Sequence, residues 1–245
     1  MSTPHLGARD RRLAHAAALP LLAVPVGTRD VVRAAFAWNL VVEIARLGAS
    51  ATLLAPRSGE SSALWPADGP GPVGSSVALV RAENLKELHR AALDIAVTRA
   101  ADVPDGGIVV VCVPPQWLRP ADGGRELLRW VLLFSSTDRR DLLESYSLAK
   151  QVLAPDDRAR VGIAIHGARS IDEARHAFDH LADVAQRHLD RPLDSYGLLV
   201  DDLHVYRAIV SRRPIGIEHP QSPAARALRD VAQMVLEDAR TPAVA

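Results

Sequence analysis

The chain has 245 residues, and its 29 Lys and Arg balance its 29 Asp and Glu, so no global field draws it to nucleic acid, anionic lipid or acidic ligands. One cysteine, Cys112, excludes an internal disulfide and a Cys-rich zinc site, and it fits a reducing cytosol. The length suits a single α/β domain over residues 1–245, with residues 1–19 as an N-terminal extension.

In chain order, Arg9, Arg11 and Arg12 precede a short Ala/Leu run that faintly matches a secretory leader. That reading is rejected, because Leu21 to Val26 is needed as a strand and the Ala-rich run is a weak apolar segment. No apolar stretch approaches the ~20 residues of a membrane span, and a cytoplasmic location is expected. Short runs rich in Val, Ile and Leu then alternate with segments of helical period, the pattern of βαβ units around a buried parallel sheet. The strands are expected at Leu21 to Val26, Ala51 to Ala55, Ser76 to Val80, Ile108 to Val113, Val131 to Ser135, Val161 to Ile165 and Tyr196 to Leu199. Helices are expected at Asp30 to Leu47, Asn84 to Ala101, Arg139 to Leu153, Ile171 to Leu189, Leu203 to Ser211 and Pro223 to Ala239. Asp30, Asn84, Asp138, Ser170 and Ser222 stand where N-caps belong, and Gly48 where a helix C-terminus needs a left-handed residue. Pro66 to Ser76, with three prolines among three glycines, reads as a surface loop. The fold class is therefore α/β: a three-layer, open, mostly parallel sheet with helices on both faces, its ligand crevice beyond the strand C-termini.

In such a fold the turn after the first strand is where a Gly-rich loop would cradle phosphates. Here it reads Gly27-Thr28-Arg29-Asp30-Val31-Val32-Arg33-Ala34 and is not Gly-rich. This turn, the helix containing Asn39-Leu40, and Leu47-Gly48 before the second strand resemble the opening of the MinD/ParA family of P-loop NTPase-like ATPases. That family carries the deviant Walker A loop GKGGVGKT, then an Asn-Leu pair and a helix ending in Leu-Gly. Laying Asn39-Leu40 on that pair leaves only Gly27 and Val31 matching the loop. The signature lysine falls on Thr28, the Walker lysine on Arg33 and the magnesium-binding hydroxyl on Ala34, while glycines fall on Arg29, Asp30 and Val32. Glycine permits positive φ and close approach of backbone N–H groups to a pyrophosphate, whereas a β-branched Val32 resists that geometry. Asp30 sets a carboxylate near anionic phosphate, and Ala34 offers magnesium no oxygen. Arg33 retains an anion-binding guanidinium, bulkier than the lysine and not interchangeable with it.

The resemblance runs from about Leu21 to Leu236 and is strongest after Leu133. The family's Asp-x-Asp element becomes Ala55-Pro56-Arg57, and its Asp-Thr-Pro-Pro-Gly switch becomes Cys112-Val113-Pro114-Pro115-Gln116. The adenine-reading Asn becomes His166. The family's Gly-x-x-Pro-x-Asp and Arg-Arg-x-Pro elements look like Gly197 to Asp202 and Arg212-Arg213-Pro214, and Ser222 to Leu228 is similar to its last helix. Scaffold positions persist where nucleotide positions are lost.

Several residues have plainer readings. Cys112 reads as a small apolar filler at the end of a buried strand. His176 and His180 lie at i and i+4 without the Glu of a zinc hydrolase, and read as a solvated face. Asp201 and Asp202 read as helix-capping residues, and Trp65, Trp117 and Trp130 as packing. The last helix, whose charges cancel, should dock on its own domain rather than on a membrane. The cluster from Arg9 to Arg12 reads as a solvated terminus.

The resemblance thus implies a pseudo-ATPase with degenerate nucleotide positions at Gly27, Thr28, Arg29, Asp30, Arg33, Ala34, Cys112 and His166. No ATP, magnesium or other cofactor is expected, nor direct nucleic-acid or membrane binding. A protein partner is expected, such as an active relative, in flagellar, division or polarity control. Two rivals are an ATPase using Arg33 in a remodelled loop and a small-molecule sensor that reuses the crevice.

Overall fold

A computed structural model of the chain describes residues 18–27, 29–57, 66–102, 106–119 and 123–240. The expectations for the Arg9 to Arg12 cluster, for Thr28 and for Trp65 lie outside the described residues. The strands are β1 (Leu21–Pro25), β2 (Ser50–Pro56), β3 (Gly69–Pro70), β4 (Ser76–Val80), β5 (Gly107–Val113), β6 (Trp130–Ser136), β7 (Arg160–Ala168) and β8 (Asp194–Val200). The helices are α1 (Val31–Arg46), α2 (Leu85–Asp102), α3 (Arg139–Leu153), α4 (Ile171–Leu189), α5 (Leu203–Ser211), α6 (Ile215–Glu218) and α7 (Pro223–Ala239). They form one sheet in the order β3-β4-β2-β5-β1-β6-β7-β8, parallel throughout except for the β3–β4 pair.

Alternation along each strand feeds two cores. Leu22 and Val24 turn to one face, where they pack with Leu40 and Ile44 of α1 and Leu228 and Val235 of α7. Ala23 turns to the other, beside Val109 and Val111, where Leu88 of α2, Leu148 of α3 and Leu181 of α4 close the layer. Because both faces are covered, the central strands can be apolar at every position, which is why their runs stand out in the sequence. The described end of the expected N-terminal extension is built into this core: Leu19 is buried, and its N–H donates to Ala96 O at 3.2 Å.

The expected caps form. Asp30 accepts from Arg33 N–H, Asp138 from Arg140 N–H, Ser170 from Glu173 N–H and Ser222 from Ala225 N–H. Asn84 accepts from Glu87 N–H at 3.0 Å, and Gly48 adopts φ 92° just past α1. Two details differ from the sequence reading. Pro66 to Ser76 is not wholly loop: β3 pairs antiparallel with β4 at the sheet edge, where proline's missing N–H is tolerated. The short helix α6 was not anticipated. Its first N–H, that of Ile215, donates to Asn39 Oδ1 on α1 at 2.7 Å, which ties it to the core.

Trp130 is buried as expected, and its Nε1 donates to the hydroxyl of Tyr196 at 3.0 Å. That hydroxyl in turn donates to Asp238 of α7. A Cβ on Gly162 would fall 2.0 Å from the Tyr196 ring, so this strand position has room only for glycine. The last helix docks on the domain through Leu228, Val231, Ala232 and Val235.

Candidate functional site

The C-terminal ends of β7 and β8 open on a crevice of about 280 Å³. It is bounded by the start of α1, the first turns of α3, the ends of β7 and β8, and α5. Of the residues that sequence reasoning singled out, Asp30, Val32, Arg33, His166, Asp201 and Asp202 line it, and Ala34, one position behind, is buried against the core.

The turn that leads into α1 is an ordinary one. Asp30 N–H donates to Gly27 O at 3.0 Å and Val31 N–H to Arg29 O at 3.1 Å. Among its described residues none has positive φ, Gly27 included. The N-terminal dipole of α1 attracts negative charge, and the chain supplies its own: the Asp30 carboxylate accepts from Arg33 N–H at 2.9 Å.

Arg33 is 6% exposed and fully engaged. Its Nε donates to the carbonyl of Phe134 at 2.9 Å, which ties α1 to the end of β6. Nη1 donates to Glu144 at 3.2 Å and lies 3.2 Å from Asp30, while Nη2 donates to Asp141. Burial alone would lower the Arg33 pKa, but Asp141, Glu144 and Asp30 outweigh it and raise it above its ordinary value. Asp141 is itself oriented by the N–H of Ser136, so the cation sits in a socket whose walls are fixed. The guanidinium's planar fork reaches all these acceptors at once, as a lysine's single ammonium would not.

His166 lies beside the socket, with Nε2 3.8 Å from Asp141 and its ring 5.1 Å from that of Phe36, which stacks on Phe134 at 5.4 Å. Burial lowers its pKa, Asp141 offsets part of this, and Arg33 lowers it further, so the ring is neutral near pH 7. The lining thus sets one guanidinium against five carboxylates, those of Asp30, Asp141, Glu144, Asp201 and Asp202. Its field favours cations over anions.

Of the other positions that the sequence offered, Cys112, His176 and His180 do not line the crevice. Cys112 is buried behind it, and burial pushes its thiol up to about 12, which leaves it an inert apolar filler. Arg29 is exposed on the turn. Asp202 caps α5 by accepting from His204 N–H at 2.9 Å, and it also takes Ala224 N–H at 3.3 Å. Asp201 is exposed outside that cap. His176 and His180 are both exposed on α4. Among the described residues no group of three or more His, Cys, Asp or Glu is placed to hold a metal ion, and no helix is long and apolar enough to cross a membrane. Trp38 points away from the crevice, to a separate groove where Gly71 leaves space for its ring. Sequence reasoning missed Asp141 and Glu144 as partners of Arg33. Their signal was the i, i+3 spacing of two acids at the start of the helix after β6.

No protein-family model and no curated protein matches the chain. Solved structures do. The MinD cell division protein of Aquifex aeolicus is 12% identical at a TM-score of 0.63, over 89% of this chain and 97% of that one. The MinC:MinD cell division protein complex of the same organism matches at 12% identity and 0.64, over 89% and 96%. A ParA family ATPase from Chlorobium tepidum matches at 10% identity and 0.57, over 88% and 98%. The chain has the MinD/ParA-type, P-loop NTPase-like fold.

Proposed function

We propose that this chain is a catalytically degenerate MinD/ParA-like protein, a regulatory or scaffolding partner in flagellar, division or polarity control that binds proteins rather than hydrolysing ATP. One observation carries the reading. The residue in the Walker lysine's place, Arg33, spends every donor group on its own chain, and the carboxylates that hold it stand where phosphates would have to enter. A triphosphate would meet an acidic lining, a turn without the positive-φ glycines that aim amides at phosphate, and Ala34 where magnesium needs a hydroxyl. ATP with magnesium therefore does not fit these residues. Support for a protein partner comes from the fold itself, since a MinD of this architecture occurs in a complex with MinC.

A thermal-shift titration tests the reading. A micromolar ATP site at a thousandfold ligand excess would add about 4 kcal/mol of stability. The expected result at millimolar ATP with magnesium is no shift. A magnesium-dependent rise would overturn the proposal in favour of an ATPase that uses Arg33. Pull-down from the native cell then identifies the partner and the process.

A second reading, a small-molecule sensor, is favoured by the crevice remaining open at about 280 Å³ rather than plugged by Trp38. Its ligand would be a cation, and stabilisation by simple amines or guanidines but not by anions is the result that would establish it.

A further inference from the structure

α5 carries apolar side chains on two faces, although only one of them is covered. Val205 and Ala208 pack on the core beneath it. On the opposite stripe Leu203, Tyr206 and Val210, spaced three and four apart, are 72%, 52% and 73% exposed. Scattered exposed apolar residues are ordinary, but a continuous stripe on one helix marks a contact surface. The charges around it are segregated along the helix. Asp201 stands exposed before the first turn, Arg207 lies within the stripe, and Arg212 follows the last turn, held at φ 56° as the C-cap. None of the three has an ion-pair partner among the described residues.

We propose that this stripe is the contact of a homodimer in which two copies of α5 pack antiparallel about a two-fold axis, without nucleotide. A two-fold contact must be self-complementary, each residue meeting a counterpart equally far from the axis on the second copy. With the axis between Tyr206 and Arg207, one register pairs the stripe and the three charges. Leu203 meets Val210 of the second copy, Tyr206 meets Arg207 with the guanidinium over the ring, and Asp201 meets Arg212. Moving the register by three residues would instead set Leu203 against Arg207. The acidic crevice, which opens beside Asp201 and Tyr206, adds to the attraction for the basic end of the second helix. A nine-residue helix gives a contact at the small end of the interface range, so the dimer is reversible and concentration-dependent.

The test is sedimentation velocity on the full chain, without nucleotide, at protomer concentrations from roughly 1 to 200 µM. The wild-type chain is expected to pass from monomer to dimer across that range. Val210→Asp should weaken dimerisation at least about tenfold, and circular dichroism and Tm should stay unchanged because the side chain is already in water. Asp201→Arg and Arg212→Asp should each weaken it, and the double variant should recover it, since both contacts of the pair are then reversed together. A chain that stays monomeric throughout overturns the proposal, even if the stripe then captures another protein. A dimer untouched by Val210→Asp also overturns it, and failure of the double variant to recover overturns the register.

Discussion

At its first turn α1 buries Arg33 among carboxylates from its own cap and from α3, while less than two turns further on it buries Asn39 against the backbone of α6. Both are polar side chains on one helix, and both make bonds more than a hundred residues away in sequence. Asn39 belongs to the Asn-Leu pair on which the resemblance to the MinD/ParA family was aligned, and its work is architectural: Nδ2 donates to Ala35 O at 2.7 Å, and Oδ1 holds Ile215. Arg33, which the resemblance lays on that family's phosphate-binding lysine, is held here by groups of its own chain. The difference teaches that a scaffold contact persists because another segment of the same chain depends on it. A buried charge such as that of Arg33 is held in place only if the same chain supplies the groups that neutralise it.

The sharpest way to break the comparison is at Arg33. Replacement by Met leaves Asp30, Asp141 and Glu144 facing one another without a cation, and the carbonyl of Phe134 without its donor. Removing one partner of a buried ion cluster costs about 3–5 kcal/mol, and the lower end applies because Glu144 is half exposed. Urea unfolding should register that loss. Adding Asp141→Asn should return part of it by removing one of the stranded charges. A neutral Arg33→Met would mean that the cluster is solvated and holds nothing together.

Asn39→Ala tests the other half of the helix. The N–H of Ile215 would lose its acceptor in a buried place, a penalty of about 1–3 kcal/mol. Asn39→Asp keeps an acceptor there but gives up the donor to Ala35 and brings a carboxylate into a buried place, so its loss should shrink in acid, where the carboxyl is neutral, while that of Asn39→Ala should not. Equal losses at every pH would show that Ile215 is not the contact that matters.

The same contrast explains what was legible in the sequence. The central parallel strands were readable because burial on both faces demands an unbroken apolar run, and each major helix start because a side chain must satisfy the first free amides. Asp30 was read as a cap, and it is one. What could not be read were bonds fixed only by tertiary approach. Glu144 and Asp141 meet Arg33 because β6 lies next to β1, a neighbourhood that no local pattern encodes. Gly162 looks like a weak point in a strand until the Tyr196 ring is seen to fill the place of its side chain. Gly216 likewise answers to distant residues, since a Cβ there would fall 1.5 Å from Oε1 of buried Glu43.

The smallest expected effect lies in the pH dependence of the crevice. Burial lowers the pKa of His166, so the unfolded chain binds its proton more readily than the folded one does. Stability therefore rises as pH rises toward the ordinary histidine value of about 6.5 and is flat above it. His89, lowered by burial near Glu126, acts in the same direction. Asp202 acts in a separate window, because its depressed pKa gives stability that is full above about 4 and lost only in stronger acid. Between pH 5 and 7 the slope should be a fraction of the about 1.4 kcal/mol per pH unit that one whole proton would produce. His166→Phe keeps the ring against Phe36 and should flatten the slope, leaving the part due to His89. The contribution of Arg33 can be read directly by NMR titration of the His166 ring. In Arg33→Met the repelling guanidinium is gone while Asp141 remains 3.8 Å away, so His166 should titrate at higher pH than in the wild-type chain. An unchanged titration would mean that the two groups do not share one electrostatic site, and the socket around Arg33 would then be a structural clamp with no influence on the crevice beside it.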